Sequence, residues 1–302
     1  MPITAQQEVD KGFDYKVRQV AVPHPVTGDK TGYFMNLRED NDDILGWTTE
    51  RYGLVQNSDI LDKAEKAFAS RGIKATRKVF VTEGGAKMRA VYNLGTDATG
   101  KITDKKYVAE VPQVGDLMGY RLIAQNSFDR SLRISFALAL VRLACINGMT
   151  TLEKEIDMVK QHSVKINIDD LITEDALDSA LLKLGSSLDV YARLAGVKLT
   201  QEQGLAILLN LAKEKVFSEK VRESVAVIWN TPTYKEDSDR SLYNLNNAIT
   251  QHVTHEITDT RFEYANRVTG QVLKKFDLAS SNDKRLAKLW TPQAGAEISL
   301  TA

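Results

Sequence analysis

Apolar and polar positions alternate with a period of two in short stretches of the first half of the chain. From about residue 150 onward they recur with a helical period. Residues 17–22 and 32–37 read as strands, separated by the turn chemistry of Pro23-His24-Pro25 and Thr27-Gly28-Asp29. A helix is predicted over 58–70, where Ile60, Leu61, Ala64, Ala67 and Phe68 fall on one face, with Ser58 as its cap and Gly72 at its end. Strands follow at 74–82 and 87–94, joined by the hairpin signal Glu83-Gly84-Gly85. Residues 107–111 and 119–126 also alternate as strands, and 126–130 is a turn. The apolar segment 132–146 begins as a strand; its later part fits strand or helix equally.

Helices are predicted over 150–161, 168–195, 200–217, 219–229, 241–256, 259–276 and 282–290. Thr200 and Gln203 have the capping-box spacing, and Gly185 is expected to bend its helix. The fold class is therefore α+β. An antiparallel sheet with packed helices occupies 1–149, and a helical half occupies 150–302. The stripe Leu242, Leu245, Ile249 and Val253 needs a partner, so that half is expected to pack back on the sheet and make one compact unit.

Composition narrows the function classes. The 302 residues are 43% apolar and 26% charged, enough for a sizeable core in a globular protein. Zero formal net charge argues against a chain-wide grip on nucleic acid, but the charge is unevenly spread. Between residues 71 and 92, Arg71, Lys74, Arg77, Lys78, Lys87 and Arg89 stand against Glu83 alone, and Arg121, Arg130, Arg133 and Arg142 extend the excess. Cys145 is the only cysteine, which fits a reducing compartment. The longest apolar run, 134–146, is broken by Ser135 and Arg142 and is too short for a bilayer. The first residues carry no secretory pattern, so a cytoplasmic location is expected.

Two constellations carry candidate chemistry. Alternation puts Lys78, Phe80 and Thr82 on one face of a strand and Arg77, Val79 and Val81 on the other. Lys87 and Arg89 share a face of the next strand, with Tyr92 nearby. Cations beside aromatic rings suit single-stranded nucleic acid, through phosphate contacts and base stacking; a solvated outer sheet face has the same composition. The candidate contacts are Arg77, Lys78, Phe80, Lys87, Arg89, Tyr92, Arg121 and Arg133. The second constellation is Cys145, Asn147, His162, Asn246, Thr250, His252 and His255, a candidate polar pocket. One thiol and three imidazoles form a set that zinc accepts, but CxxC and HExxH spacings are both missing and no metal, cofactor or catalytic residue is assigned. Asn246 lies at the edge of the apolar stripe, where its amide is expected to tie the helix to the sheet half.

Four segments resemble one family. These are RYGLVQNSDILDKAE at 51–65, LIAQNSFDRSLRI at 122–134, VRLACINGM followed by KQHSV at 141–149 and 160–164, and SLYNLNNAITQHVTHE at 241–256. Together they are similar to the phage- and plasmid-borne proteins catalogued as domain of unknown function 932. Gly148, Met149, Ser163 and Gln251 depart from that family's pattern. The resemblance implies a mobile-element protein made in a bacterial cytoplasm, and it implies no settled chemistry.

The leading expectation is therefore a non-enzymatic protein that binds or anneals single-stranded DNA in phage or plasmid replication or recombination, as a homo-oligomer and without a membrane. One alternative is an enzyme acting on a small molecule or nucleotide at the Cys/His/Asn pocket. The other is a structural or host-interaction protein, such as a virion component or defence inhibitor.

Overall fold

The computed structural model describes residues 13–112, 114–143, 150–152, 158–167, 172–255 and 262–291. Its architecture is α+β. A three-stranded antiparallel sheet comes first: β1 (Val17–Pro23), β2 (Lys30–Arg38) and β3 (Ile44–Thr49), in that spatial order. Then come α1 (Asn57–Ser70), β4 (Ala75–Thr82), β5 (Lys87–Leu94), β6 (Val108–Glu110), β7 (Leu117–Ser127), β8 (Ile134–Arg142), β9 (Thr150–Leu152) and β10 (Met158–Lys160). These seven strands form a second sheet of order β10-β8-β7-β5-β4, with β6 on β7 and β9 on β8. Six helices follow: α2 (Glu174–Gly196), α3 (Gln201–Lys213), α4 (Glu219–Asn230), α5 (Leu242–His255), α6 (Phe262–Ser280) and α7 (Asp283–Trp290).

The chain divides into two compact units. One comprises Met1–Val108, Tyr120–Ala139 and Lys154–Lys183; the other comprises Ala109–Gly119, Leu140–Glu153 and Leu184–Ala302.

In the first unit, strand register explains the core. Val79 pairs with Ala90 and Ala90 with Ala124, and all three are fully buried. Helix α1 covers this face with Ile60, Leu61, Ala64 and Phe68, the Phe68 ring standing edge-on to Tyr92 at 5.2 Å. Gln56, rather than Ser58, precedes the helix, and its amide bonds both the N–H and the C=O of Val17, fastening β1 to the start of α1. Gly72 follows the helix at φ +63°, as a stop signal requires.

The most connected point of this unit is the turn after β7. Asn126 donates to the carbonyl of Val55 and to Asn57 Oδ1. The Tyr52 hydroxyl donates to the carbonyl of Ser127 at 2.6 Å, and Asn36 Nδ2 donates to the carbonyl of Phe128 at 2.6 Å. The Phe128 N–H bonds the Ala86 carbonyl, and Asp129 accepts from the backbone and hydroxyl of Ser131. A β-turn is usually a surface link; here the carbonyls of Ser127 and Phe128, the Phe128 N–H and the Asn126 amide group are each bonded outside the turn.

In the second unit, α5 is the central helix. Every residue from Leu242 to Thr250 is buried, so its asparagines are interior residues and the helix has no solvent face over that length. Helices α4 and α6 flank it, α5 and α6 lie against β9, and Tyr191 of α2 meets Tyr243 edge-on at 5.8 Å. The Thr200–Gln203 capping box opens α3 as expected. Gly204 in that helix lies where a Cβ would stand 2.3 Å from the Trp229 ring.

Three expectations change. Within the helix expected over 150–161, residues 150–152 and 158–160 form strands β9 and β10, and 153–157 lie outside the described residues: β10 pairs Met158–Lys160 with Phe136–Ile134 of β8, and that ladder overrides the helical spacing. Strand β3 is unanticipated, because Ile44 and Trp47 are about half exposed and make no core alternation. Helix α2 runs through Gly185 unbroken and starts only at Glu174.

Gly46 of β3 is the test of how closely the small sheet approaches the turn. A Cβ there would lie 2.5 Å from the Asp129 Cα and 2.6 Å from the Phe128 oxygen, both backbone atoms. Gly46→Ala should cost about 1–3 kcal/mol in urea unfolding. A variant as stable as the wild type would show that the two elements are not tightly packed.

Candidate functional site

The two strands of the β4–β5 hairpin sort the predicted nucleic-acid contacts by face. Phe80 pairs with Arg89, Lys78 with Val91 and Thr82 with Lys87, so Lys78, Phe80, Lys87 and Arg89 share the face opposite the α1 core. Lys78 is exposed; Phe80, Lys87 and Arg89 are half-buried. Arg121 joins them through the Asn93–Arg121 pairing, but its Nε donates to Asn93 Oδ1 at 2.8 Å, and burial pushes its guanidinium down to about 10, still charged at neutral pH.

Two of the expected contacts lie on the other face. Arg77 is ion-paired with Glu65 of α1. Tyr92 is 1% exposed, packed against Phe68, with its hydroxyl on the same carboxylate. A ring buried in this way cannot stack on a base, so Tyr92 belongs to the core. Alternation alone puts Arg77 on the face away from Lys78 and Phe80, and helix α1 supplies its partner there.

The Asn/His constellation divides between the units. His162 is in the first; Asn246, Thr250 and His252 are in the second; Cys145 and Asn147 lie outside the described residues, as does the His255 side chain. Asn246 is buried, yet its Oδ1 has no hydrogen-bond partner among the described residues. In place of the expected tie to the sheet half, its neighbours bond the chain just before the helix. Asn247 Nδ2 donates to Asp237 at 3.0 Å, and Asn244 Nδ2 reaches the Glu236 carbonyl at 3.5 Å. Both bonds hold the loop before α5. Thr250 returns its hydroxyl to the carbonyls of Asn246 and Asn247. Among the described residues no group of three or more His, Cys, Asp or Glu could hold a metal ion.

What the second unit does hold is a buried charge cluster. Arg142, 1% exposed, reaches Asp116 through Nε at 2.7 Å and both oxygens of Asp237 through one terminal nitrogen at 2.8–2.9 Å. Tyr243 donates to Asp116 at 2.8 Å, and Asn247 completes Asp237. Burial lowers the arginine's proton affinity, but Asp237 and then Asp116 more than offset it, so the net shift is upward. Burial, with Asp116 beside it, raises the Tyr243 phenol well above its ordinary range and keeps it a donor. Arg142 sits in the VRLACIN segment and Tyr243 and Asn247 in SLYNLNNAIT, so two of the family-like segments meet here.

The other two, with KQHSV, meet in the first unit around a cavity of about 260 Å³ lined by Tyr52, Arg130, Leu132, Arg133, Gln161 and His162. The His162 ring stacks on Tyr52 at 4.7 Å and 14°. Its Nδ1 lies 3.2 Å from the Gly53 carbonyl, which makes Nδ1 the protonated nitrogen; Nε2 is buried without a partner among the described residues. Gly53 permits the approach, since a Cβ there would stand 2.1 Å from the Ser163 oxygen. Arg130 holds φ +66°, uncommon outside glycine. Tyr52, Arg130 and Gln161 are not candidate contacts on the sequence alone; the signals there are their place within the family-like segments and, for Arg130, the basic excess.

Burial lowers the His162 proton affinity, with the Gly53 bond and Asp129 opposing it more weakly. Its unfolded value is about 6.5. The unfolded chain therefore takes up the proton first, so this share of stability is complete above about pH 6.5 and is lost as pH falls through the folded value. Melting temperature should fall between about pH 7 and pH 5.5, above the usual carboxylate range. His162→Phe, which keeps the stack, should flatten that fall; an unchanged slope would mean that His162 is not held neutral.

No helix of the described residues is long and apolar enough to cross a membrane. No curated protein and no solved structure matches the chain. The family model described as Domain of unknown function (DUF932) matches residues 44–290, a span that includes both the cavity and the buried cluster. The chain belongs to that family.

Proposed function

We propose that the protein binds single-stranded DNA without catalysis, on the face of the large sheet opposite α1. What supports the reading is the hairpin register, in which the partly buried Phe80 ring stands directly opposite Arg89 with Lys78 and Lys87 on the same face. A ring flanked by cations offers stacking and phosphate contacts together, and it tolerates any base. Arg121 supports the face as a partly buried cation bonded to Asn93. The setting is replication or recombination of a phage or plasmid in a bacterial cytoplasm, the context that the family resemblance implies.

One observation favours a second reading. Tyr33 is 58% and Trp47 55% exposed, and the Met35–Trp47 pairing puts them on the same face of the small sheet. That face suits an interaction surface, for a second copy or a host protein. It is the reading that remains if DNA binding fails.

Titration of a labelled oligonucleotide at two salt concentrations is the test. Affinity should fall steeply with salt, and Lys78→Gln should reduce the slope of log K against log salt by about 0.7. Phe80→Ala should cost about 1–3 kcal/mol of binding with little change in that slope. Absence of binding at low salt would end the proposal.

A further inference from the structure

The cavity beside His162 has no part in the sheet-face reading, and its composition is specific. At about 260 Å³ it is smaller than the ~300–1,000 Å³ typical of pockets for drug-sized ligands, so it suits a small group. Two guanidiniums, Arg130 and Arg133, line it together with the Gln161 amide. Both arginines are exposed at the rim, and neither has an ion pair or hydrogen bond among the described residues. No carboxylate is among the residues that line it; Asp129, next to Arg130 in sequence, has its Oδ1 accepting from the backbone and hydroxyl of Ser131. The cavity therefore carries a net positive charge and several unspent donors.

The His162 wall gives a second, independent sign. A buried polar atom without a partner is a rare exception in a folded protein and asks for an explanation. Nε2 of His162 is such an atom, on a residue that lines the cavity; with the proton on Nδ1 it is an acceptor, so the ligand that completes it must carry a donor, as the P–OH of a hydrogen phosphate does. A flip of the ring would keep the Tyr52 stack but forfeit the Gly53 bond, and tilting it to seek a partner would break the stack. The chain around this wall is fixed as well: the Tyr52 hydroxyl bonds the Ser127 carbonyl, the Val164 N–H bonds the Arg51 carbonyl, and Ser163 lies close against Gly53.

We propose that this cavity is a binding site for a phosphate group, gripped by Arg130 and Arg133 with Gln161 as a further donor and the His162–Tyr52 stack as its wall. Guanidinium suits phosphate because its planar fork offers parallel donors to two oxygens, and a tetrahedral dianion presents enough oxygens to engage both arginines at once. A carboxylate, with two oxygens and one charge, satisfies one arginine and leaves the other unpaired.

The site does not depend on the sheet face binding DNA, and one set of titrations separates the two. Calorimetry with inorganic phosphate, with acetate as comparator, should give saturable phosphate binding and much weaker acetate binding. Arg133→Gln should weaken phosphate by about tenfold or more at an unchanged melting temperature, since the side chain is exposed and unpaired. Arg133→Lys, which keeps the charge but not the fork, should fall between the two. The source of the phosphate is read from an oligonucleotide with a 5′-phosphate beside the same strand with a 5′-hydroxyl. Tighter binding of the phosphorylated strand, lost in Arg133→Gln, identifies a DNA end as the ligand. Equal binding of the two strands, with inorganic phosphate still bound, identifies a free phosphate. Failure of inorganic phosphate to bind the wild type, equal affinity for acetate, or an Arg133→Gln variant that binds phosphate normally would each overturn the proposal. Loss of oligonucleotide binding alone would overturn only the sheet-face reading.

Discussion

The turn from Asn126 to Asp129 is the constraint on which the first unit depends. Two successive carbonyls, of Ser127 and Phe128, are buried there, and each takes a side-chain donor from a different element: the Tyr52 hydroxyl and the Asn36 amide. Asn126 reaches the opposite way, to the strand-to-helix link at Val55–Asn57. A buried carbonyl left without a donor costs about 1–3 kcal/mol, so removing any one of these donors weakens the joint between two elements as well as a single bond. The same turn leads directly into Arg130, Leu132 and Arg133, and Tyr52 carries the His162 stack. The geometry of the cavity is thus a consequence of how the turn is fastened.

The second unit is organised by a different economy. Its central helix is buried all round for nine residues and brings three asparagines and a tyrosine inside with it. Arg142 sits between two aspartates, and Tyr243 and Asn247 fill carboxylate positions that the arginine leaves. A buried ion cluster of this kind adds little net stability, because desolvation offsets most of the attraction. Removing one member leaves an unpaired interior charge and costs about 3–5 kcal/mol. The cluster therefore specifies where the loop at Asp237 and the strand at Arg142 must go, more than it strengthens the fold.

Local chemistry in the sequence reaches some of this and not the rest. The β4–β5 hairpin and its register follow from alternation and the Glu83-Gly84-Gly85 turn, and α3 follows from its capping box. The α+β class follows from the change of period along the chain. Strands β9 and β10 escape, because three-residue strands are set by the neighbour they pair with and not by their own pattern. The face of Arg77 and Tyr92 is legible, but the helix covering it is not. The hub is the least legible feature: Asn36 and Phe128 are 92 residues apart, and no local rule links an asparagine on one strand to a carbonyl in a distant turn. Arg133 and His162 were both singled out, for different reasons, and only the fold brings them to one cavity.

Native-state hydrogen exchange on the wild-type protein tests the role of the turn most directly. The Phe128 amide donates to the Ala86 carbonyl and the Leu132 amide to Ser127 Oγ. If the turn is the joint of the first unit, these two amides exchange only through its cooperative unfolding, as slowly as the interior amides of β5 and β7. Exchange at the faster rate of an ordinary surface turn, with the flanking strands still protected, would contradict it.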